Sequence, residues 1–509
     1  EGTIDAEWAR DECGLLLRQV RPATFAVRRN PRLSLANHKE ILGDPPSPWM
    51  ASALERAGRE ALAWFARSDG RLRAFDEPYA ILALGRAWLD VSAFLRMMDL
   101  WGLPRTFVHE GIGGSGDGPA DARFRFGRFV ASSPRLLLLQ ARSLATVLGV
   151  GRGFRRLDET IAKALAAGGL EPLFDATAQG LAFALRSNFA INGALSGVAR
   201  LRRALGIHAA ARVVTGEMMR EYEDLRALVD GERDAGLARW LERWGHRGPL
   251  ESDLARPRFA ELGEVLRADL ASSSSSGVQD ELRGGRGPLY WLERRRERFR
   301  DELMRRWRTL RAAVLAEGEK LVAAGVFERA SDAFLLGAEE LAAPRLDADL
   351  VAAARARAAH HARLRVPDET TLDDLEQVAS ARELEPRTAS TAEGDRAPLR
   401  GVGLSRATFE GTVVRADDLV ELLARAGRGE VRLDASAILV VPTLEPSWAI
   451  VFGRVGAVVS ELGGELSHAS ILLREAGKPA LVNCTGAWSR LRDGDRVRIE
   501  GARGELRRL

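Results

Sequence analysis

The stretch AVVSELGGELSHASILLREAGKPALVN, residues 457–483, decides the fold of the last hundred residues. Ala457 to Val459 reads as a buried strand, Gly463 and Gly464 as a turn, and Ser467 and His468 as the opening of a helix. That helix stops at Gly477, ahead of Pro479. Short apolar runs flank it on both sides: Thr412 to Val414, Ala437 to Val441, Ala480 to Asn483 and Arg496 to Ile499. A compact α/β domain is therefore expected over 401–509.

A histidine at the start of a helix sits where unpaired backbone N–H groups and the helix dipole favour an anion. A neutral imidazole nitrogen is a good nucleophile near neutral pH, and a phosphoryl group taken up by it is labile enough to pass on. Ser467 can cap the helix and donate to a phosphoryl oxygen. Gly463 and Gly464 let the backbone approach closely. Taken alone, the spacing favours a histidine that only hydrogen-bonds near a helix cap.

Upstream the periodicity is different. From Trp49 to about His361 apolar residues recur at three and four spacing, as in Ala53 to Phe65 and Tyr79 to Leu95, which predicts helices. Glu293 to Ala324 continues as one long helix or two stacked ones, with Leu303, Trp307, Leu310, Val314 and Leu321 forming an inward stripe. Residues 1–365 thus read as a large all-α domain, built as a bundle. Gly111 to Gly118, Ser272 to Ser276 and Gly284 to Pro288 read as loops; the first contains GxGxxG, without the strand and helix that a dinucleotide loop needs. Residues 366–400 are polar and proline-bearing, and read as a linker with one short helix.

Composition closes off several classes. Hydrophobic residues make up 46% and charged residues 29%, the balance of a globular protein. Net charge is only +4, and Arg and Glu alternate along the helices, so nucleic acid is not an expected partner. Cys13 and Cys484 lie far apart with no metal-ligand spacing, which argues against a disulfide framework or a metal site and suits a reducing cytoplasm. Leu136 to Val150 is interrupted by Gln140, Arg142 and Ser143, so no membrane span is expected. With Glu1 in place of an initiator Met, the chain reads as a processed form or part of a longer polypeptide.

The stretch GGELSHASILLREAGKPALVN, with ILVVPTLEPSW at Ile438 to Trp448 and DGDRVRIEGARGEL at Asp493 to Leu506, resembles the swivelling phosphohistidine domain of the PEP-utilising enzymes. That family includes phosphoenolpyruvate synthase, pyruvate phosphate dikinase, the phenylphosphate synthase subunits and rifampicin phosphotransferase. The resemblance implies that His468 is phosphorylated and that Gly463, Gly464, Ser467 and Arg474 contact or orient the phosphoryl group. The family's usual Thr-Ser-His or Thr-His is here Leu466, Ser467, His468, with the hydroxyl neighbour kept.

Further strings resemble the central domain of rifampicin phosphotransferase and its relatives. WGHRGPLESDLARPRF, Trp244 to Phe259, is similar to the signature YGHRGPxExDLxxPR, and SLANHKEILGDPPSPW, Ser34 to Trp49, to that domain's opening segment. Arg296, Glu297 and Arg300 stand where the family has Arg-Glu-x-x-Lys, followed by Arg311 and Gly318 at the family's spacing. The resemblance implies an acceptor site made by His246, Arg247, Arg296, Glu297 and Arg300, in which Glu297 or His246 takes the acceptor's proton. Arg300 keeps the charge of the family's lysine but not its compact, titratable amine. A surface salt-bridge ladder is the competing reading of so arginine-rich a helix.

The expected layout is therefore a large helical domain followed by a small α/β swivelling domain. The expected activity is phosphotransfer to a small hydroxylated acceptor. No ATP-grasp domain is visible, so ATP and Mg2+ are expected on a partner domain or subunit, and none on this chain alone. Pyruvate chemistry is not expected. A non-catalytic phosphocarrier, or a ligase using a phosphorylated intermediate, stays open beside this reading.

Overall fold

The computed structural model describes residues 4–11, 14–22, 30–35, 38–39, 42–74, 80–108, 122–204, 214–272, 288–364, 366–380, 398–463 and 468–509. The three loops read at Gly111 to Gly118, Ser272 to Ser276 and Gly284 to Pro288 fall almost wholly outside these residues.

The upstream part is helical, as its periodicity predicts. It comprises α1 (Pro48–Ala66), α2 (Val91–Trp101), α3 (Phe126–Leu148), α4 (Val150–Ala167), α5 (Leu170–Ala204), α6 (Val214–Arg226), α7 (Asp230–Trp244), α8 (Gly263–Ser272), α9 (Pro288–Ala323) and α10 (Ala348–Arg363). Ser47 starts α1: its hydroxyl accepts from the N–H of Met50, and Pro48 follows at the first helical position. Helix α5 is the hub, packing against α1, α3, α4 and α9. Helix α9 is a single helix, and Leu303, Trp307, Leu310 and Val314 of its stripe are buried. All four tryptophans of the α1 to α2 region, Trp49, Trp64, Trp88 and Trp101, are buried as well.

The sequence reading of Tyr79 to Leu95 as a helix is corrected. Ala80–Ala83 and Arg86–Asp90 form the antiparallel strands β4 and β5, and α2 begins only at Val91. The two residues between the strands, Leu84 and Gly85, have φ of +53° and +72°, which is what a two-residue turn of the hairpin type demands. Asp90 then caps α2 by accepting from the N–H of Ala93. Apolar residues at three and four spacing are thus shared between a fully buried strand and the helix after it, which periodicity cannot separate. This hairpin joins β3 (Arg32–Ser34) and β6 (Glu369–Thr371) in a four-stranded sheet of order β4-β5-β3-β6, and β1 (Ile4–Asp11) pairs with β2 (Gly14–Pro22). The segment read as a linker so begins with a strand of this sheet and with α11 (Leu372–Ser380).

The C-terminal domain is an eight-stranded mixed sheet of order β7-β14-β13-β9-β10-β11-β12-β8. Its strands are β7 (Leu399–Arg400), β8 (Val402–Gly403), β9 (Thr408–Arg415), β10 (Ala437–Thr443), β11 (Ala457–Leu462), β12 (Ala480–Val482), β13 (Arg496–Glu500) and β14 (Glu505–Arg508). The four central strands β9 to β12 run parallel, linked through α12 (Leu419–Gly427), α13 (Ala449–Phe452) and α14 (His468–Glu475). Residues alternate between two cores, as strand geometry requires: Ile438 and Val440 face one, Leu439 and Val441 the other.

The second of those cores does not close within the domain. Leu439, Val441, Leu422, Leu423, Ile450 and Leu472 share it with Met218, Tyr222, Trp240, Leu266 and Leu270 of α6 to α8. Helix α12 lies on α8, and α13 on α6. Each fully buried side chain of leucine size stabilises such a contact by roughly 1.5–3 kcal/mol. Ionic contacts add direction: Arg454 of the C-terminal domain is ion-paired with the buried Asp269 of α8.

Candidate functional site

The string Trp244 to Phe259 leaves α7 and folds into a tight loop with its backbone buried. A buried loop must satisfy its own carbonyls. Arg258 donates to the carbonyl of Glu251 at 2.6 Å, Arg311 to that of Leu254 at 2.6 Å, and the indole of Trp307 to that of Ser252 at 3.0 Å. At Gly248 a Cβ would come within 2.6 Å of the Pro257 carbonyl oxygen, so only glycine lets the two limbs of the loop meet. Ser47 ties the loop to the opening segment: its N–H and hydroxyl both donate to the carboxylate of Asp253 at 2.7 Å. Two strings 206 residues apart are thereby one structure.

On this loop and the facing turn of α9 lies a cluster of buried charge. Nε2 of His246 is 2.7 Å from Oδ1 of Asp301, while its buried Nδ1 meets no hydrogen-bond partner among the described residues. Arg247 grips Glu251 with two hydrogen bonds, 2.5 and 2.8 Å, and Arg300 donates to the same carboxylate at 2.7 Å. Arg296 approaches Glu297 at 3.9 Å. All five expected acceptor-site residues therefore sit on the loop or on adjoining turns of α9. Glu251, the glutamate of the quoted signature, joins Arg247 to Arg300, and Asp301, which no motif marks, holds His246.

The field of the cluster is strongly polarised. Burial opposes the charge of Glu251, but Arg247 and Arg300 overcome it and hold this carboxyl far below the usual carboxylate range. Burial likewise works against Arg247, and Glu251, Asp301 and Glu297 more than offset it. Asp301 stays below its ordinary value despite burial, through His246, Arg247 and Arg305. An imidazole with one nitrogen oriented by a carboxylate and the other unengaged is the arrangement of a general base.

The C-terminal domain adds a residue to which the sequence does not point. Glu445 follows β10 at the carboxyl ends of the parallel strands, the edge where α/β sheets place ligands. Burial pushes its carboxyl up to about 7; the hydroxyl and N–H of Ser447 oppose this, the charge of Glu251 adds to it, and Arg300 opposes it. Glu445 is thus close enough to feel both Glu251 and Arg300 of the helical part. Thr443 and Leu462 pair at the ends of β10 and β11, so Glu445 and Gly463, which follow these strands, lie at the same edge of the sheet.

His468 is the first residue of α14, which packs against the 446–448 turn beside Glu445. Gly464 and Ser467 lie outside the described residues, and of His468 the backbone alone is described. Gly463 has φ of +139°, while a Cβ there would meet nothing nearer than 3.8 Å; conformation, not space, calls for glycine. Arg474 is half-buried in the last turn of α14. Among the described residues no group of three or more His, Cys, Asp or Glu could hold a metal ion, and no helix is long and apolar enough to cross a membrane.

Residues 433–504 of the C-terminal sheet domain match the family model of the PEP-utilising enzyme mobile domain. The similarity to particular proteins reaches further upstream. The chain is 30% identical over 296 residues to the rifampicin phosphotransferase of Streptomyces sviceus, covering 54% of this chain and 32% of that protein. It is 31% identical over 299 residues to an uncharacterised protein of Mycobacterium tuberculosis, covering 56% of this chain and 33% of that one. With the phosphoenolpyruvate synthase of Escherichia coli it shares 35% identity over 74 residues, 14% of this chain and 9% of that protein. The chain spans about a third of the length of the first two relatives.

Proposed function

We propose that this chain is the acceptor and carrier part of a phosphotransferase, in which His468 takes up a phosphoryl group and delivers it to a small hydroxylated acceptor at the His246 cluster. The observation that carries the reading is the position of Glu445. The sheet edge that leads to His468 is also the edge whose Glu445 lies in the field of Glu251 and Arg300. This supports a carrier whose working edge faces the cluster.

In the transfer the bond between the imidazole nitrogen of His468 and phosphorus breaks, and a bond from the acceptor oxygen to phosphorus forms. Nδ1 of His246 receives the acceptor's hydroxyl proton, and Asp301 stabilises the imidazolium that results. Arg296, and Arg300 although it too donates to Glu251, supply positive charge for the migrating group, while Arg247 stays engaged with Glu251. ATP, with Mg2+, is handled by an ATP-grasp domain or subunit outside these 509 residues. Charging of His468 requires the carrier to leave the cluster and return, a hinge motion within the repertoire of carrier domains.

The test is to incubate the chain with an ATP-grasp partner and ATP labelled at the β or γ position, and to look for acid-labile, base-stable label. Label on wild type that vanishes in His468→Ala is expected. Label persisting in His468→Ala would overturn the assignment. A second reading, a phosphocarrier with no acceptor chemistry of its own, predicts that His246→Ala discharges its label as fast as wild type.

A further inference from the structure

A cleft of about 900 Å3 opens between α1, α3, α4 and α5, and shares no lining residue with the His246 cluster. Arg56, Arg142, Arg152, Arg156, Lys163 and Arg186 line it, against only Glu60 and Glu159. Two of the cations are answered: Arg56 pairs with Asp175 at 2.5 Å, and Arg186 lies 3.8 Å from Glu60. Arg142, Arg152, Arg156 and Lys163 have no carboxylate within ion-pair distance among the described residues. Elsewhere on this chain arginines pair freely, as along α9 where Arg305 and Arg306 are both matched. The cleft departs from that habit.

Concave placement makes the imbalance matter. Like charges lining a low-dielectric cleft focus a positive potential and raise the local concentration of anions. Arg142 is held below its ordinary value by burial and by the charge of Arg67, and Arg186 by burial and, against the help of Glu60, by Arg67 too; both would be relieved by an anion. The rest of the lining is mixed, with Thr146, Thr160 and Gln179 beside an apolar side. Trp64 carries the Arg142 guanidinium 5.7 Å above its ring, and Phe183 and Leu157 continue the wall. The volume falls in the range of small-molecule sites, roughly 300–1,000 Å3.

We propose that this cleft binds a small aromatic anion, its carboxylate, sulfonate or phosphate on Arg142, Arg152 and Arg156, and its ring body along Trp64 and Phe183. Guanidinium forks suit such oxyanions bidentately, and the apolar wall would be left bare by an inorganic ion. The inference rests on the cleft alone and does not need His468 to be phosphorylated.

The test is isothermal titration of the full chain with 1-naphthyl phosphate, beside 1-naphthol and inorganic phosphate. 1-Naphthyl phosphate is expected to bind at least tenfold more tightly than either half of the molecule, and to weaken with added salt. The variant Arg142→Gln/Arg156→Gln is expected to lose at least tenfold, with its unfolding midpoint measured alongside. Arg152→Gln/Lys163→Gln, in which both side chains are exposed, repeats the test with little demand on folding. Equal affinity for inorganic phosphate would reduce the cleft to a counter-ion patch. Unchanged affinity in folded variants, or no binding of 1-naphthyl phosphate to wild type, would overturn the proposal.

Discussion

Arg454 of the C-terminal domain and Asp269 of α8 form an ion pair across the junction between the two parts of the chain, and both side chains are buried. Asp269 also holds Arg226 at 2.6 Å and accepts from the hydroxyl of Tyr222 at 3.1 Å. Asp269→Ala leaves two guanidinium groups in the interior without their shared carboxylate. A loss of about 3–5 kcal/mol is expected, read from the urea midpoint. A change below about 1 kcal/mol would mean the pair behaves as an exposed one.

Glu445 makes stability depend on pH. Its carboxyl rises from an ordinary 4.5 to about 7 in the folded protein. A raised carboxylate contributes stability that is fully present below its unfolded value and lost as pH rises through its folded value. Wild type should therefore weaken between pH 4.5 and 7 relative to Glu445→Gln, by up to about 3 kcal/mol. Parallel urea titrations of the two proteins from pH 5 to 8 measure this; a constant difference would show that Glu445 does not titrate in the window.

The pair His246 and Asp301 should separate delivery from charging. Asp301→Asn and His246→Asn are expected to slow transfer to an acceptor by roughly 10²–10⁴-fold, the span of general-base effects, while labelling of His468 proceeds. Loss of labelling itself in these variants would place their role elsewhere.

Gly463 tests the approach to the histidine. An alanine must adopt φ of +139°, at a strain of roughly 1–3 kcal/mol, although its Cβ has room. Gly463→Ala should lower the rate at which His468 is labelled, and the strain should lower the thermal midpoint by a few degrees. A normal rate would show that the backbone there tolerates the strain.

Much of the fold is legible in the sequence. A period of 3.6 marks the helices α1 and α9, because burial on one face imposes a spacing on the chain, and short apolar runs mark β10 to β12, which are buried on both faces. Tyr79 to Leu95 misleads because β5 is buried on both sides and shows no alternation of its own. Within the candidate site, His246, Arg247, Arg296, Glu297 and Arg300 stand out by motif. Glu251 and Asp301 lie within or beside the same strings, but their importance is a matter of pairing, and a partner 49 or 55 residues away carries no local mark.

The order of elements, the helix-opening place of His468 and the strings that form the cluster are all written locally in the chain. Each follows from propensity, turn chemistry or a contiguous motif. Folding alone brings Ser47 to Asp253 and Asp269 to Arg454, and sets Glu445 in the field of Arg300. These are relations between charges brought together by an apolar core that neither part closes alone. Their strength depends on burial and distance, which exist only once the chain has folded.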